Sequence, residues 1–173
     1  MVVSPRARLW FALNALVVAV GVVTQVIVTV RNPGIRFAVG WQRGLNVFAF
    51  FTIQSNLIVG GTTLLLALGR ARPTLVFRIV RLSGVVGITL TFIVFQVALR
   101  KLQDLTGQAA FADFLLHTAC PVLCVTGWLV FGPRRQTTAR AVVGTLVFLV
   151  GWGAFTLIRG AIIDWYPLSL IHI

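Results

Sequence analysis

Apolar residues in this chain fall into five long runs, separated by short polar and basic stretches. Most of these runs approach the roughly 20 residues that an α-helix needs to cross the hydrocarbon core of a bilayer. The pattern therefore predicts five membrane-spanning helices, at about 9–30, 45–68, 83–99, 112–131 and 141–158. The predicted fold is an all-α, polytopic transmembrane helix bundle, a single domain over residues 1–173.

Polar residues inside these runs are concentrated in the second and fourth predicted helices. In the second helix they lie three, four and seven residues apart and so share a face: Thr52, Ser55, Asn56 and Thr63. The fourth helix contains His117. Pro121, four residues later, has no N–H to donate to the His117 carbonyl, which predicts a kink in this helix. A histidine within a membrane-length apolar run is costly and by default marks a functional site with a partner.

The composition supports a membrane protein and changes how the charge is interpreted. The chain is 58% hydrophobic and 10% charged, with a net charge of +12. In a soluble protein this charge would suggest nucleic acid, but the Lys and Arg residues lie almost entirely between apolar runs, where they set orientation and contact lipid headgroups. We expect the lipid bilayer as partner and no nucleic acid. Nine positive charges inside against six outside predict a plasma-membrane protein with a cytoplasmic N-terminus.

Residue types that bind metals or form acid/base pairs are scarce. Cys120 and Cys124 lie four apart on one helix, a spacing that suits packed core residues better than a disulfide. His117 is the only histidine inside a predicted span, and the chain has no glutamate. We therefore expect no metal site, no organic cofactor and no pair of catalytic carboxylates.

Thr52 and His117 are predicted to lie at the same depth. Thr52 is seven residues into the second helix and His117 five into the fourth, which at ~1.5 Å per residue places both roughly 7–11 Å below the outer surface. A hydroxyl beside a neutral imidazole is the minimum for nucleophilic catalysis: Thr52 would attack an ester carbonyl while His117 takes its proton. Asp113, four residues before His117, can fix the imidazole tautomer.

Three further side chains are candidates for stabilising the oxyanion or holding the substrate: Asn56, Gln96 and Arg159. Simpler interpretations remain open beside the catalytic one. A threonine in a membrane helix often bonds its own backbone or a neighbouring helix, and His117 could serve structure alone. An aspartate near a helix N-terminus is favoured by the helix dipole, and Arg159 with Asp164 could be a pair at headgroup level.

The residues Phe51-Thr52-Ile53-Gln54-Ser55-Asn56, His117-Thr118-x-x-Pro121, and Trp152 through Arg159 before Trp165-Tyr166-Pro167 together resemble a known family. Over nearly its whole length the chain resembles the bacterial branch of the androgen-induced protein family. Its animal members are multi-pass membrane threonine hydrolases of fatty-acid esters of hydroxy fatty acids. The resemblance implies Thr52 as nucleophile, His117 as its base and a further helix after Pro167.

The last six residues, 168–173, can be encoded by the transposon end used in preparing sequencing libraries. We expect a non-native tail on a chain that lacks a sixth helix; a natural short hydrophobic tail is the alternative. The expected function is hydrolysis of a lipid ester through an acyl-threonine. A small transporter or lipid-binding membrane protein without catalysis is one alternative, and a structural partner of a larger complex is another. The oligomeric state is not predicted.

Overall fold

A computed structural model describes residues 3–32, 37–102, 104–132 and 137–166. Every regular element in these ranges is helical, which confirms the predicted all-α class. Four helices are long and apolar enough to cross a membrane: Pro5–Arg31, Leu75–Leu99, Gly107–Phe131 and Ala139–Ile163. A bent pair, Gly40–Ala49 and Phe51–Ala67, makes a fifth span if it is counted as one. The tail 167–173, with His172, lies outside the described residues.

Within the described residues, the bundle consists of seven α-helices and three short turns of other helix types. In chain order they are α1 (Pro5–Arg31), α2 (Gly40–Asn46) with a 3-10 turn (Val47–Ala49), α3 (Phe51–Ala67), α4 (Leu75–Val94) with a π-helical turn (Phe95–Leu99), α5 (Gly107–Phe114), which runs through a π-helical turn (Leu115–Ala119) into α6 (Cys120–Phe131), and α7 (Ala139–Ile163). Side-chain hydroxyls cap the starts of α1, α4 and α7. Each of these hydroxyls accepts a hydrogen bond from the backbone N–H three residues later, and they belong to Ser4, Thr74 and Thr138.

The predicted second helix, 45–68, is not continuous. The chain breaks at Phe50, and the segment before the break meets α3 at 73°. The third helix begins at Leu75 rather than at residue 83, so Arg78 and Arg81 lie inside it. Arginine extends a membrane helix in this way when its aliphatic stem packs against apolar neighbours.

The other three helices are also longer than predicted. They span 5–31, 107–131 and 139–163, against the predicted 9–30, 112–131 and 141–158. Arg159 consequently lies in the last turns of α7 instead of ending it. The differences arise because the predicted bounds followed the apolar runs, whereas the helices continue through polar residues as far as their caps.

The core lies where α1, α3, α4 and the fourth span meet. Val18, Ile53, Ile88 and Leu116 are all buried there, as are the two cysteines. Gly60 lets α1 and α3 approach closely, because a Cβ at this position would lie 2.8 Å from a methyl carbon of Val18. Small residues at such crossings are how membrane helices gain packing contact.

Alternating helix directions give the bundle two chemically different ends. The Thr52 end comprises the C-terminal ends of α1, α4 and α7 and the starts of α3 and α5, and all three acidic residues lie toward it: Asp104, Asp113 and Asp164. The Arg81 end comprises the opposite helix termini and contains arginines and no acidic residue in the sequence. Its core is a second cluster of buried apolar residues that includes Phe11 and Leu66.

Candidate active site

Thr52 and His117 face each other across the interface between α3 and the π-helical turn that joins α5 to α6. The Thr52 Oγ1 atom lies 3.3 Å from the His117 Nε2 atom, within hydrogen-bonding distance. The two residues are 65 positions apart in the chain, so the fold and not local geometry brings them together. Oriented as donor, the Thr52 hydroxyl points its proton at the imidazole, as a nucleophile activated by a general base requires.

Asp113 completes a chain of three polar side chains. Its Oδ1 atom lies 2.9 Å from His117 Nδ1, on the opposite side of the ring from Thr52. The backbone carbonyl oxygen of Asp113 is also near this nitrogen, at 3.3 Å. Two acceptors beside Nδ1 favour the tautomer with the proton on Nδ1, which leaves the Nε2 lone pair free to accept the Thr52 proton.

The π-helical turn at Leu115–Ala119 explains the backbone around His117. In this turn each hydrogen bond joins residues five apart, as in the bond from the Cys120 N–H to the Leu115 carbonyl. At that spacing Pro121, which has no N–H, leaves the carbonyl of Leu116 without a helical partner. The side-chain amide of Asn56 donates to this carbonyl at 3.2 Å. A π-helical turn therefore lies directly before Pro121, where the sequence predicted a kink.

An aromatic ring fixes the plane of the imidazole. Phe95 stacks on His117 with ring centroids 4.4 Å apart and an angle of 15° between the planes. Phe95 begins the π-helical turn at the end of α4, so both π-helical turns in the described residues meet at this site. Turns of this type occur frequently at functional sites. Phe95 was not among the predicted site residues, because nothing in its sequence context distinguishes it from other apolar positions.

The helix break before Thr52 is held by two side chains that take over freed carbonyls. In a continuous helix the carbonyls of Phe48 and Ala49 would accept from the N–H groups of Thr52 and Ile53. Instead, Gln54 donates its side-chain amide to Phe48 at 3.1 Å, and the indole N–H of Trp152 donates to Ala49 at 3.3 Å. Both of these carbonyls thus keep a hydrogen-bond donor despite the break.

The same break leaves backbone donors free beside Thr52. No side chain caps the start of α3, and the N–H groups of Phe51, Thr52 and Ile53 form no hydrogen bond within the described parts of the chain. Unpaired N–H groups at a helix N-terminus carry partial positive charge and bind anions. Backbone donors therefore lie next to the candidate nucleophile, where a negatively charged oxygen would develop during acyl transfer.

The three side chains predicted as oxyanion or substrate residues lie in different places. Asn56 uses its amide N–H groups on the carbonyls of Thr52 and Leu116, at 2.8 and 3.2 Å, so it supports the backbone of the site. Gln96 donates to the hydroxyl of Thr118 and accepts from Arg100. Arg159 donates to Asn46 and not to Asp164, and it lies on a groove between α2 and α7. Among the described residues, none of the three side chains forms a hydrogen bond with the Thr52 hydroxyl or with the His117 ring.

The site is accessible from the surface of the bundle. The side chains of His117 and Asp113 are 20% and 21% exposed, and Thr52 is half-buried. Phe51, which precedes Thr52, packs against Trp152 with ring centroids 4.8 Å apart. The surroundings combine apolar side chains with a short row of polar groups, which suits a substrate that is itself mostly apolar.

Comparisons with known proteins identify no relative of this chain. Protein-family models, curated proteins and solved structures were all searched, and none matches. Within the described residues, no group of three or more His, Cys, Asp or Glu side chains is arranged to hold a metal ion. The argument for function therefore rests on the geometry around Thr52 and His117.

Proposed function

We propose that this protein hydrolyses lipid esters in the membrane, with Thr52 as nucleophile and His117 as general base. The observation that carries the proposal is the continuous contact from Thr52 Oγ1 to His117 Nε2, and from His117 Nδ1 to Asp113 Oδ1, at 3.3 and 2.9 Å. This is the order of nucleophile, base and orienting carboxylate that acyl transfer requires. The resemblance to the androgen-induced protein family supports the same roles and favours a fatty-acid ester as substrate.

The proposed reaction proceeds through a covalent acyl-threonine. As Thr52 Oγ1 attacks the ester carbonyl carbon, its proton passes to His117 Nε2 and the carbonyl oxygen becomes negative. The carbon–oxygen bond to the alcohol then breaks, and His117 returns the proton to the departing alcohol oxygen. A water molecule, deprotonated by His117, hydrolyses the acyl-threonine in the same way and releases the fatty acid. Asp113 stabilises the imidazolium that forms in both halves.

The free backbone N–H groups at the start of α3 are proposed to stabilise the oxyanion. They are the donors nearest to the Thr52 hydroxyl in the chain, and they are fixed by the helix rather than carried on flexible side chains. Removing one such donor from other hydrolases costs roughly 10²–10³-fold in rate. This role replaces the one predicted for Asn56, whose amide N–H groups are both engaged by carbonyls.

The proposed setting is the plasma membrane, with the N-terminus in the cytoplasm. Among the described residues, seven positively charged residues lie toward the Arg81 end and five toward the Thr52 end. An excess of Lys and Arg favours retention on the cytoplasmic side. This orientation puts the Thr52 site in the outer leaflet.

The test is labelling by a fluorophosphonate, which reacts with activated hydroxyl groups, followed by identification of the modified peptide. We expect the parent to be labelled at Thr52, and Thr52→Val and His117→Ala to lose labelling. Thr52→Ser should keep it, because serine retains the hydroxyl. Thr63→Val is the matched control, because the Thr63 hydroxyl on the same helix bonds only its own backbone, at Val59 and Gly60.

Two results would contradict the proposal. One is a folded parent that neither labels nor hydrolyses any of a panel of long-chain esters. The other is labelling that persists in Thr52→Val at the parent rate. In either case the lipid-binding alternative would become the better account of the protein.

A further inference from the structure

A groove lies between α2 and α7 at the Thr52 end, and we call it the Arg159 groove. Its volume is about 480 Å³, within the range of small-molecule sites. Most of its lining is aromatic or aliphatic, including Trp41, Leu45, Phe48 and Phe155. Its charged residue is Arg159, and the polar Asn46 lies beside it.

The Arg159 guanidinium is only partly satisfied. Its Nη2 atom donates to Asn46 Oδ1 at 2.7 Å, and the group lies 5.4 Å from the centre of the Trp165 ring. The Nη1 atom is buried and has no hydrogen-bond acceptor, and no carboxylate pairs with Arg159 in the described parts of the chain. A charged donor in apolar surroundings is unfavourable unless an anion pairs with it. The groove thus combines an apolar wall with a guanidinium nitrogen that has no acceptor among the described residues.

We propose that the Arg159 groove binds a long-chain carboxylate, with the carboxylate on Arg159 and the chain against the aromatic wall. A planar carboxylate matches the forked guanidinium and forms charge-assisted hydrogen bonds with it. The volume suits a single acyl chain better than a two-chain phospholipid. Arg159 lies one turn before the end of α7, near the exposed Trp41, where headgroups and interfacial aromatic residues meet.

This binding does not depend on the proposed hydrolysis. The residues that line the groove include Ala49 but neither Thr52 nor His117. Ala49 and Thr52 are three residues apart, so their Cα atoms are at most about 11 Å from each other. An acyl chain bound in the groove would consequently lie near Thr52 but would be held by other residues. Loss of catalysis in Thr52→Val should leave the binding unchanged.

The test uses 9,10-dibromostearate, whose bromine atoms quench nearby tryptophans, in nanodiscs of phosphatidylcholine. Trp41 and Trp165 flank the Arg159 groove and report on its occupancy. We expect saturable quenching by the acid and much weaker quenching by its methyl ester at equal mole fraction. Arg159→Gln should weaken binding of the acid roughly tenfold to hundredfold, the value of a charged hydrogen bond. Arg31→Gln is the matched control, an exposed arginine at the same end.

Three outcomes would overturn the proposal. The first is equal quenching by acid and methyl ester in the parent, and the second is an equal loss in Arg159→Gln and Arg31→Gln. The third is displacement of the acid by phosphatidylglycerol as effectively as by stearate, which would assign the groove to an anionic phospholipid headgroup. If Arg159→Gln does not fold, Arg159→Lys and Phe155→Ala replace it. The lysine variant should lose part of the preference for the acid, and Phe155→Ala should weaken acid and ester alike.

Discussion

The two ends of this bundle are built from similar helices but differ in regularity. At the Arg81 end, α1, α3, α4 and α6 pack through apolar side chains, and Trp10 donates its indole N–H to the carbonyl of Leu123 at 2.9 Å. At the Thr52 end the chain breaks at Phe50 and passes through two π-helical turns. The Asp113–His117 contact and the candidate nucleophile are both at this irregular end. Irregular backbone in a membrane helix requires other partners for its polar groups, and here those partners surround the site.

The difference separates a regular, closely packed end from an irregular end that holds the proposed site. Continuous helices at the Arg81 end satisfy their own backbone and need only packing. The breaks at the Thr52 end expose N–H and carbonyl groups, some of which are capped by Gln54, Asn56 and Trp152. The uncapped ones, at the start of α3, are the ones beside Thr52. Changes at the two ends should therefore affect different measurements.

Among variants that keep both Thr52 and His117, the largest effect should come from Asp113→Asn. Without the carboxylate, the His117 imidazolium is less stable and the imidazole tautomer is no longer fixed. The rate of fluorophosphonate labelling should therefore fall about 10²–10⁴-fold. Thermal stability should change little, because the side chain is partly exposed and its polar contact within the described residues is with His117. Asp104→Asn is the matched control, since Asp104 is exposed and lies outside the site. Equal rates in the two variants would show that Asp113 has no part in the reaction.

Part of this arrangement was predictable, because length and hydrophobicity constrain a membrane helix strongly. The five apolar runs predicted the class of fold, and similar distances from the predicted helix ends predicted that Thr52 and His117 would lie at about the same depth. The break at Phe50 was not predictable in this way, since no proline or glycine marks it. Its carbonyls are capped by Gln54 and by Trp152, the latter about a hundred residues away. Consequently the free backbone N–H groups beside Thr52 were not predicted, and only side chains such as Asn56 were considered as oxyanion donors.

A second effect should appear in packing near the middle of the bundle, where adjacent glycines give a matched pair. Gly60→Ala would place a Cβ 2.8 Å from a methyl carbon of Val18, whereas Gly61→Ala would meet nothing within 4 Å. Overpacking costs about 1–3 kcal/mol, while replacing an exposed helical glycine gains about 0.5–1 kcal/mol. We expect the thermal midpoint in micelles to fall for Gly60→Ala and to rise for Gly61→Ala. A similar shift in both variants would contradict the close approach of α1 and α3.

A smaller effect should come from Trp152→Phe, which keeps the ring against Phe51 but removes the indole N–H. The buried carbonyl of Ala49 then loses its donor, which costs about 1–3 kcal/mol if the backbone does not relax. Relaxation toward a continuous helix would instead use up the free N–H groups beside Thr52, so labelling should slow. Trp41→Phe, at an exposed position, is the control for both measurements. An unchanged midpoint together with unchanged labelling would show that the break does not depend on Trp152.

The smallest effect should be that of Arg81→Met at the opposite end, although Arg81 is a buried charge. Its guanidinium lies 5.2 Å and 5.3 Å from the ring centres of Phe11 and Trp128, and its Nη1 atom has no acceptor in the described parts of the chain. Methionine loses cation–π contacts worth up to about 2 kcal/mol. It also removes a buried unpaired donor that costs about 1–3 kcal/mol. The two terms nearly cancel, so the thermal midpoint should hardly move and labelling at Thr52 should keep the parent rate. A large fall in the midpoint would mean that Arg81 is paired with an anion, and the Arg81 end would then be more than a packed apolar support.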